Sequence, residues 1–333
     1  MHSLLSPGIR LLGRFGFARK FQILFFLFML LFAAITPAII VGAFAERIKF
    51  AAVLVFMVVW FTINYVPMAH MGWGGGWVFQ LGAQDFAGGN VVHVNVGIAA
   101  LVGAWLVGSR KGVGTSAMAP HNMTMTMTGG SLLWVGWLAF CGGCVLAANG
   151  FSMLVVLNTM LAAAAGTLSW MLVEWVHRGR PSMLGAVSGA IAGLVAITPA
   201  CGFVGPMGAI AIGLIVSPIC VWAVEKLKPL IGLDDSFDVF GVHGVGGIVG
   251  GILTTVFAQP ALGGLGFAEG RDFGSQMQVQ LLVIGFSVVY SAISSFIAFK
   301  AASLICGGLR VEEDDEVEGL DMSSHGEPGY KLS

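Results

Sequence analysis

VVHVNVGI (91–98) and GVHGVGGI (241–248) are two copies of one short pattern. In each, a histidine follows valine and precedes Gly and Ile by four and five residues. In each, an aspartate lies a few residues upstream, Asp85 in DFAGG and Asp238 in DVFG. Both histidines, His93 and His243, sit in apolar, glycine-rich runs. An ionisable side chain within a membrane span is costly and is a functional hypothesis by default. Two in matched settings predict an internal repeat that converges on a single site, as in inverted-repeat transporters.

Composition agrees with a membrane setting. Hydrophobic residues make up 57% of the chain and charged residues only 10%, where a soluble domain carries about 25% charged residues. The chain is read as an integral membrane protein. The net charge of −1 says little, because eight of the 17 acids fall between Glu312 and Glu327. The 49 glycines suit close approach of membrane helices. The five cysteines lie in or beside apolar runs, without the paired spacing of a metal knuckle or a disulfide framework. No phosphate loop, HExxH motif or nucleophile–base constellation appears. Neither an enzyme, a cofactor, a metal site nor a nucleic-acid partner is therefore expected.

Nine segments approach the ~20 apolar residues that a bilayer crossing needs. They are 21–45, 50–69, 89–108, 124–147, 152–176, 183–199, 204–225, 239–258 and 276–307. The expected fold is all-α: a polytopic membrane helix bundle with an inverted repeat and about nine transmembrane helices. Three parts are expected: a basic N-terminal stretch (1–20), a membrane domain (21–307) and a tail (308–333). Alternate loops collect Arg47, Lys49, Arg110, Lys111, Arg178, Arg180, Lys226, Lys228 and Arg310, while the opposite loops hold only Arg271. The positive-inside rule makes the first set, and the C-terminus with it, cytoplasmic. An odd span count then places the N-terminus outside, although Arg10, Arg14, Arg19 and Lys20 favour the inside. The string AITPA occurs twice, at 34–38 and 196–200. Its spacing differs from that of the histidines, so it is not counted as part of the repeat.

From Phe28 to Tyr330 the chain resembles the Amt/MEP/Rh ammonium transporter family, its bacterial Amt branch most closely. The stretches that carry this are AAITPAIIVGAFAERIKF (33–50), PMAHMGWGGG (67–76), DFAGGNVVHVN (85–95), GWLAF (136–140), EWVHRGRPS (174–182), DVFGVHGVGGI (238–248) and the tail RVEEDDEVEGLDMSSHGE (310–327). The resemblance implies ammonium or ammonia transport across a cell (inner) membrane through a hydrophobic pore. It makes His93 and His243 the twin pore histidines and Phe32 and Phe140 the stacked phenylalanines of an outer gate. It places Trp73 and Phe28 at an outer recruitment site, with Asp85 before the first histidine helix. It also implies a homotrimer and a cytoplasmic regulatory tail that contacts the PII signalling protein. Counted back from Phe32, the chain is expected to lack the family's first two helices, the first of which lies at the subunit contact. It also carries Cys144 where the family usually has serine, so weaker recruitment is expected, a thiol being a poorer hydrogen-bonding group than a hydroxyl. An alternative follows: an ammonium sensor that acts through PII with little transport. Loss of PII binding on deleting 310–333, with or without transport, separates the two.

The residues have their own physical reading. Aromatic faces at Trp73 and Phe28 can replace part of ammonium's hydration by cation–π attraction, ~0.5–2 kcal/mol, although an isolated Trp73 reads as an interfacial belt residue. Phe32 and Phe140 are unremarkable among 24 phenylalanines. Two facing, mostly neutral imidazoles each offer one donor and one acceptor, enough for a hydrogen-bonded track in a dry pore. Asp85 and Asp238 are expected to cap helix starts. His70, His121 and His177 fall at span ends and read as structural. The acidic run Glu312–Glu318 reads as a solvated tail.

Overall fold

The structure, a computed structural model, describes residues 17–116, 118–327, 329 and 330. Most of the expected basic stretch, residues 1–16, lies outside the described residues. Helices account for nearly everything described, with one isolated β-bridge between Ile48 and Arg310.

Long apolar runs make helices here because a helix satisfies its backbone groups within a single segment, which lipid cannot do for it. α1 is Phe17–Val41. α2 covers 50–73: an α-helix Phe50–Trp60, a π turn Phe61–Tyr65 and an α-helix Val66–Trp73. α3 is Gly89–Val107, opening on a π turn at Gly89–Val94. α4 is Met123–Gly143, α5 Gly150–Arg178 and α6 Met183–Ile197. α7 is Pro206–Leu230 with a π turn at Ala223–Leu227, and α8 is Phe240–Phe257, opening on a π turn at Phe240–Gly244. α9 is Phe273–Ile305. Capping boxes start α5 (Asn149 with Ser152) and α9 (Asp272 with Ser275). They satisfy first-turn N–H groups that would otherwise be orphaned.

Seven of these segments, α1, α2, α3, α5, α7, α8 and α9, are long and apolar enough to cross a membrane. The other two stand where spans are expected but do not meet both conditions. α6 has only 15 residues, because the chain turns at Thr198–Pro199. α4 has 21, but its first half, MTMTMTGGS, is diluted by hydroxyls and glycine.

Two sets of loops mark the ends of the bundle. On one, the tail face, Arg47 reaches Gly108 and Asp234, and Val311 N–H donates to the Arg47 carbonyl. On the other, the Asp85 face, Phe86 N–H donates to the Pro199 carbonyl and Arg271 reaches Leu81. α3 therefore runs from the Asp85 face to the tail face, and α8 runs the opposite way. The inversion extends to whole triplets. In α1–α2–α3 and in α6–α7–α8, the middle helix contains a π turn followed by proline (Pro67, Pro229), and the third begins on a π turn bearing the histidine. AITPA lies at the end of the first helix of each triplet. The duplicated string belongs to the repeat after all. Its altered spacing arises between Pro67 and His93, where α2 runs on to Trp73 and the 74–88 segment adds a short helix, Trp77–Gln80, to the first copy.

α9 packs across both triplets. Phe299 stacks on Phe56 with centroids 3.9 Å apart, and Trp60 donates to Ser295 at 2.9 Å.

Candidate functional site

The two histidine helices meet through glycine. A Cβ built on Gly97 would lie 2.2 Å from both the nitrogen and the Cα of Gly244. The backbones of α3 and α8 thus touch where they cross. One turn away on α3, His93 Nδ1 lies 3.1 Å from His243 Nδ1, with ring planes 28° apart. The two copies of the duplicated histidine pattern are in hydrogen-bonding contact.

Each helix start is held by a carboxylate. Asp85 accepts the N–H groups of Gly88, Gly89, Asn90 and Val91, so it caps α3 as expected. Gly88, at φ +113°, makes the turn that brings those four N–H groups round one side chain. At α8 the expectation for Asp238 is corrected. Its backbone is left-handed at φ +59°, and its carboxylate pairs with Lys228. Asp235 does the capping, accepting the Phe240 N–H at 2.6 Å.

A cavity of about 380 Å³ runs along the pair, between α1 and α4. Its walls are apolar (Ile35, Ile39, Val92, Leu132, Phe140), and His93, His243 and Cys141 are its ionisable lining. Sequence reading missed Trp137. Its ring lies parallel to His93 within 18°, centroids 5.0 Å apart, and its Nε1–H donates to Thr198 Oγ1 at 2.8 Å. A tryptophan in WVGWLAF looks like any apolar helix residue, and its partner lies 61 positions away.

At the Asp85 end of the cavity the aromatic residues singled out by sequence converge. Phe32 is in edge contact with Phe140 (4.5 Å, 62°), Phe28 (5.3 Å, 88°) and Trp73 (5.4 Å, 61°). Phe32 and Phe140 meet edge-on rather than stacked face to face. Trp73 is fixed by its Nε1–H, which donates to the Asp85 carbonyl at 3.2 Å. The Asp85 carboxylate is occupied by its four N–H donors, so any pull it exerts on a cation acts at a distance. Cys144 follows the last turn of α4, half-buried beside the same aromatic cluster. His70, His121 and His177 are not brought to the cavity.

On the tail face Arg47 is fully buried and donates to the carbonyls of Ala43, Ala45, Gly108 and Asp234 and to the Ser236 hydroxyl. Arg110 clamps the Asp234 carboxylate at 2.8 Å. The acidic run is not simply solvated. Glu316 pairs with Arg310 at 2.7 Å and accepts the Lys111 N–H, while Glu313 pairs with Lys111 at 2.7 Å. The carboxylates answer Lys111 on the loop after α3 and Arg310 after α9, which a charge run read by itself does not reveal.

Residues 11–330 match the model of the Ammonium Transporter Family. The chain is 49% identical to an ammonium transporter of Bacillus subtilis over 93% of its own length and 76% of the relative's. Among solved structures it superposes on one named Sensor Amt Protein with a TM-score of 0.84 at 31% identity, covering 90% of this chain and 76% of that one. It superposes on Candida albicans Mep2 with a TM-score of 0.78 at 37% identity, covering 85% and 65%.

Proposed function

The chain belongs to the ammonium transporter family and carries ammonium across a membrane, and we propose that the path is the cavity beside the paired histidines. The observation that carries this is the 3.1 Å contact between two ring nitrogens in an apolar cavity. With Nδ1 facing Nδ1 in a neutral pair, one ring donates and the other accepts. The donor ring then presents a bare Nε2, and the acceptor ring an Nε2–H. A proton taken up at the bare Nε2, a shift of the shared proton and release from the far Nε2 pass one proton along the pair. The pair ends with its charge unchanged and its roles exchanged. Ammonia, stripped of that proton, is small and neutral enough for the apolar remainder of the cavity.

Ahead of the pair, Phe32 and Phe140 form the gate, and Trp73, Phe28 and Cys144 form the recruitment site. Ring faces there attract a cation by ~0.5–2 kcal/mol, and Asp85 adds a distant negative charge. Residues 21–307 form the transport domain and 308–333 a regulatory tail. The tail face is cytoplasmic, on the inner side of a cell (inner) membrane, since Arg47, Lys49, Arg110, Lys111, Lys228 and Arg310 gather there and basic loops favour the inside. The tail keeps Glu312, Asp314, Val317, Glu318 and Met322 exposed while Glu313 and Glu316 hold it in place, which suits docking of a PII signalling protein. The working assembly is a homotrimer with one pore in each subunit.

Ammonium-evoked current in proteoliposomes tests the path. The wild-type chain gives a current, and His93→Ala abolishes it. An undiminished current in His93→Ala would place the path elsewhere.

A further inference from the structure

The histidine pair is joined by one hydrogen bond, and one hydrogen bond does not fix the plane of a ring. By coupled rotations about its Cα–Cβ and Cβ–Cγ bonds, His93 can pivot its ring about Nδ1 while keeping that atom near its partner, and the pivot would carry Nε2 out of the cavity axis. Something else has to hold the plane. The parallel neighbour is Trp137, 5.0 Å from His93 and 6.5 Å from His243, tilted 18° and 13° from them. Three rings therefore lie nearly parallel across α4, α3 and α8.

Trp137 is in turn held by an acceptor with no freedom of its own. Thr198 is 1% exposed. Its Oγ1 donates to the Leu194 carbonyl at 2.7 Å, so its proton is committed and a lone pair faces the indole Nε1–H at 2.8 Å. The Thr198 carbonyl accepts the Ala87 N–H at 3.1 Å, and the next carbonyl, of Pro199, accepts Phe86 N–H at 3.1 Å. Thr198 is therefore bonded both to the loop that follows Asp85 and to the ring that lies on His93. It is also the threonine of the second AITPA. Thr36 in the first copy makes the same back-bond, to the Phe32 carbonyl.

We propose that Trp137 is a positioning residue for the histidine pair, its plane set by the Thr198 hydroxyl, so that hydroxyl, indole and imidazole form one chain from the Asp85-face turn to the centre of the pore. This rests on the reading of the pair as the conducting element. With its N–H spent on Thr198, the indole presents only a π face to His93. It orients that ring without competing for the nitrogens that meet the substrate.

The test is initial transport rate against ammonium concentration in proteoliposomes for Thr198→Val, Thr198→Ser, Trp137→Phe and the Val/Phe double variant. Valine keeps the shape of threonine and loses the acceptor. Phenylalanine keeps an aromatic ring and loses the donor. Each single variant should lower the maximal rate roughly fivefold, the scale of one neutral hydrogen bond, with the half-saturating concentration unchanged because the outer aromatic cluster is untouched. Thr198→Ser should recover to within twofold. The double variant should be no slower than the slower single one, since both remove the same bond. A Thr198→Val chain as fast as wild type overturns the inference. So does a Thr198→Ser chain as slow as Thr198→Val, which would make the position a matter of packing alone. A wild-type chain that transports nothing overturns the underlying pore reading instead, and is recognised before any variant is compared.

Discussion

A methyl group on Gly97 has nowhere to go, because the backbone of Gly244 fills the space. Non-bonded carbons rest ~3.5–4.0 Å apart, so Gly97→Ala must part α3 from α8 by roughly 1 Å or more. That displacement stretches a 3.1 Å contact between ring nitrogens past the range of a hydrogen bond. Gly97→Ala should cut ammonium-evoked current by more than tenfold, whereas Gly285→Ala, which faces open space on α9, should leave it unchanged. Equal currents in the two would refute the crossing as the reason the rings meet. At this scale the sequence was legible where a pattern was duplicated. His93 and His243 were readable because valine, histidine, glycine and isoleucine recur at one spacing. Gly97 belonged to that pattern, yet its contact was invisible among 49 glycines. Trp137 and Thr198 had no local signature, since what joins them is a bond through space. By its distance from the histidine Asp238 reads as the cap of α8. The left-handed backbone there turns its carboxylate to Lys228 and leaves the cap to Asp235.

The helices were readable to within a few residues of their ends, because apolar length is a strong signal in a bilayer. Their interruptions were not. A π turn holds one residue more than the α-helix around it, and in a segment that is apolar all round no hydrophobic period records the extra residue. Four such turns occur among the described residues, at matched places in the two triplets, and two of them carry the histidines. The body of α3 is pinned by its crossing with α8, so deleting Val94 should restore α geometry and turn His93 by about 100° relative to that body, at 3.6 residues per turn. The expected variant is folded, with wild-type helix content by circular dichroism, and carries no current. Normal conduction in that deletion would mean that the π turn does not aim the ring.

Across the whole molecule, the tail face ties together parts of the chain that are far apart in sequence, and its charges set a pH dependence. Burial pushes the Asp235 carboxyl up to about 6. A folded-state value above the unfolded one means that the folded protein holds the proton more tightly. The stability this group contributes is therefore complete below about pH 4 and is lost as pH rises through 6. Burial shifts Asp238 in the same direction. Burial also pushes Asp234 up, but the Arg110 side chain and N–H outweigh it and hold that carboxyl below its usual range. Its contribution is present at neutral pH and is lost only in stronger acid. Between pH 5 and 7 Asp235 contributes a loss of stability with rising pH, and Asp238 adds to it. Asp235→Asn keeps an oxygen for the Phe240 N–H. It should raise stability at pH 7 by up to about 3 kcal/mol, one pKa unit being worth ~1.36 kcal/mol, and remove the loss of stability that this carboxyl contributes between pH 5 and 7. Thermal unfolding in detergent at the two values is the measurement, and a pH 5 to 7 difference unchanged from wild type in the variant would count against it. Arg47, at the centre of this face, has a consequence for how the protein is made. Its acceptors Asp234 and Ser236 follow it by 187 and 189 residues. At ~5–20 residues per second, a ribosome needs on the order of 10–40 s to deliver them. During that interval a cation destined for complete burial has the carbonyls of its own loop, Ala43 and Ala45, and later that of Gly108, but none of its partners from the second half of the bundle. It serves first as a charged anchor that keeps the α1–α2 loop from being drawn through the bilayer. Only when translation has passed α7 does the same side chain change employment, from marking a side of the membrane to joining the two halves of the bundle.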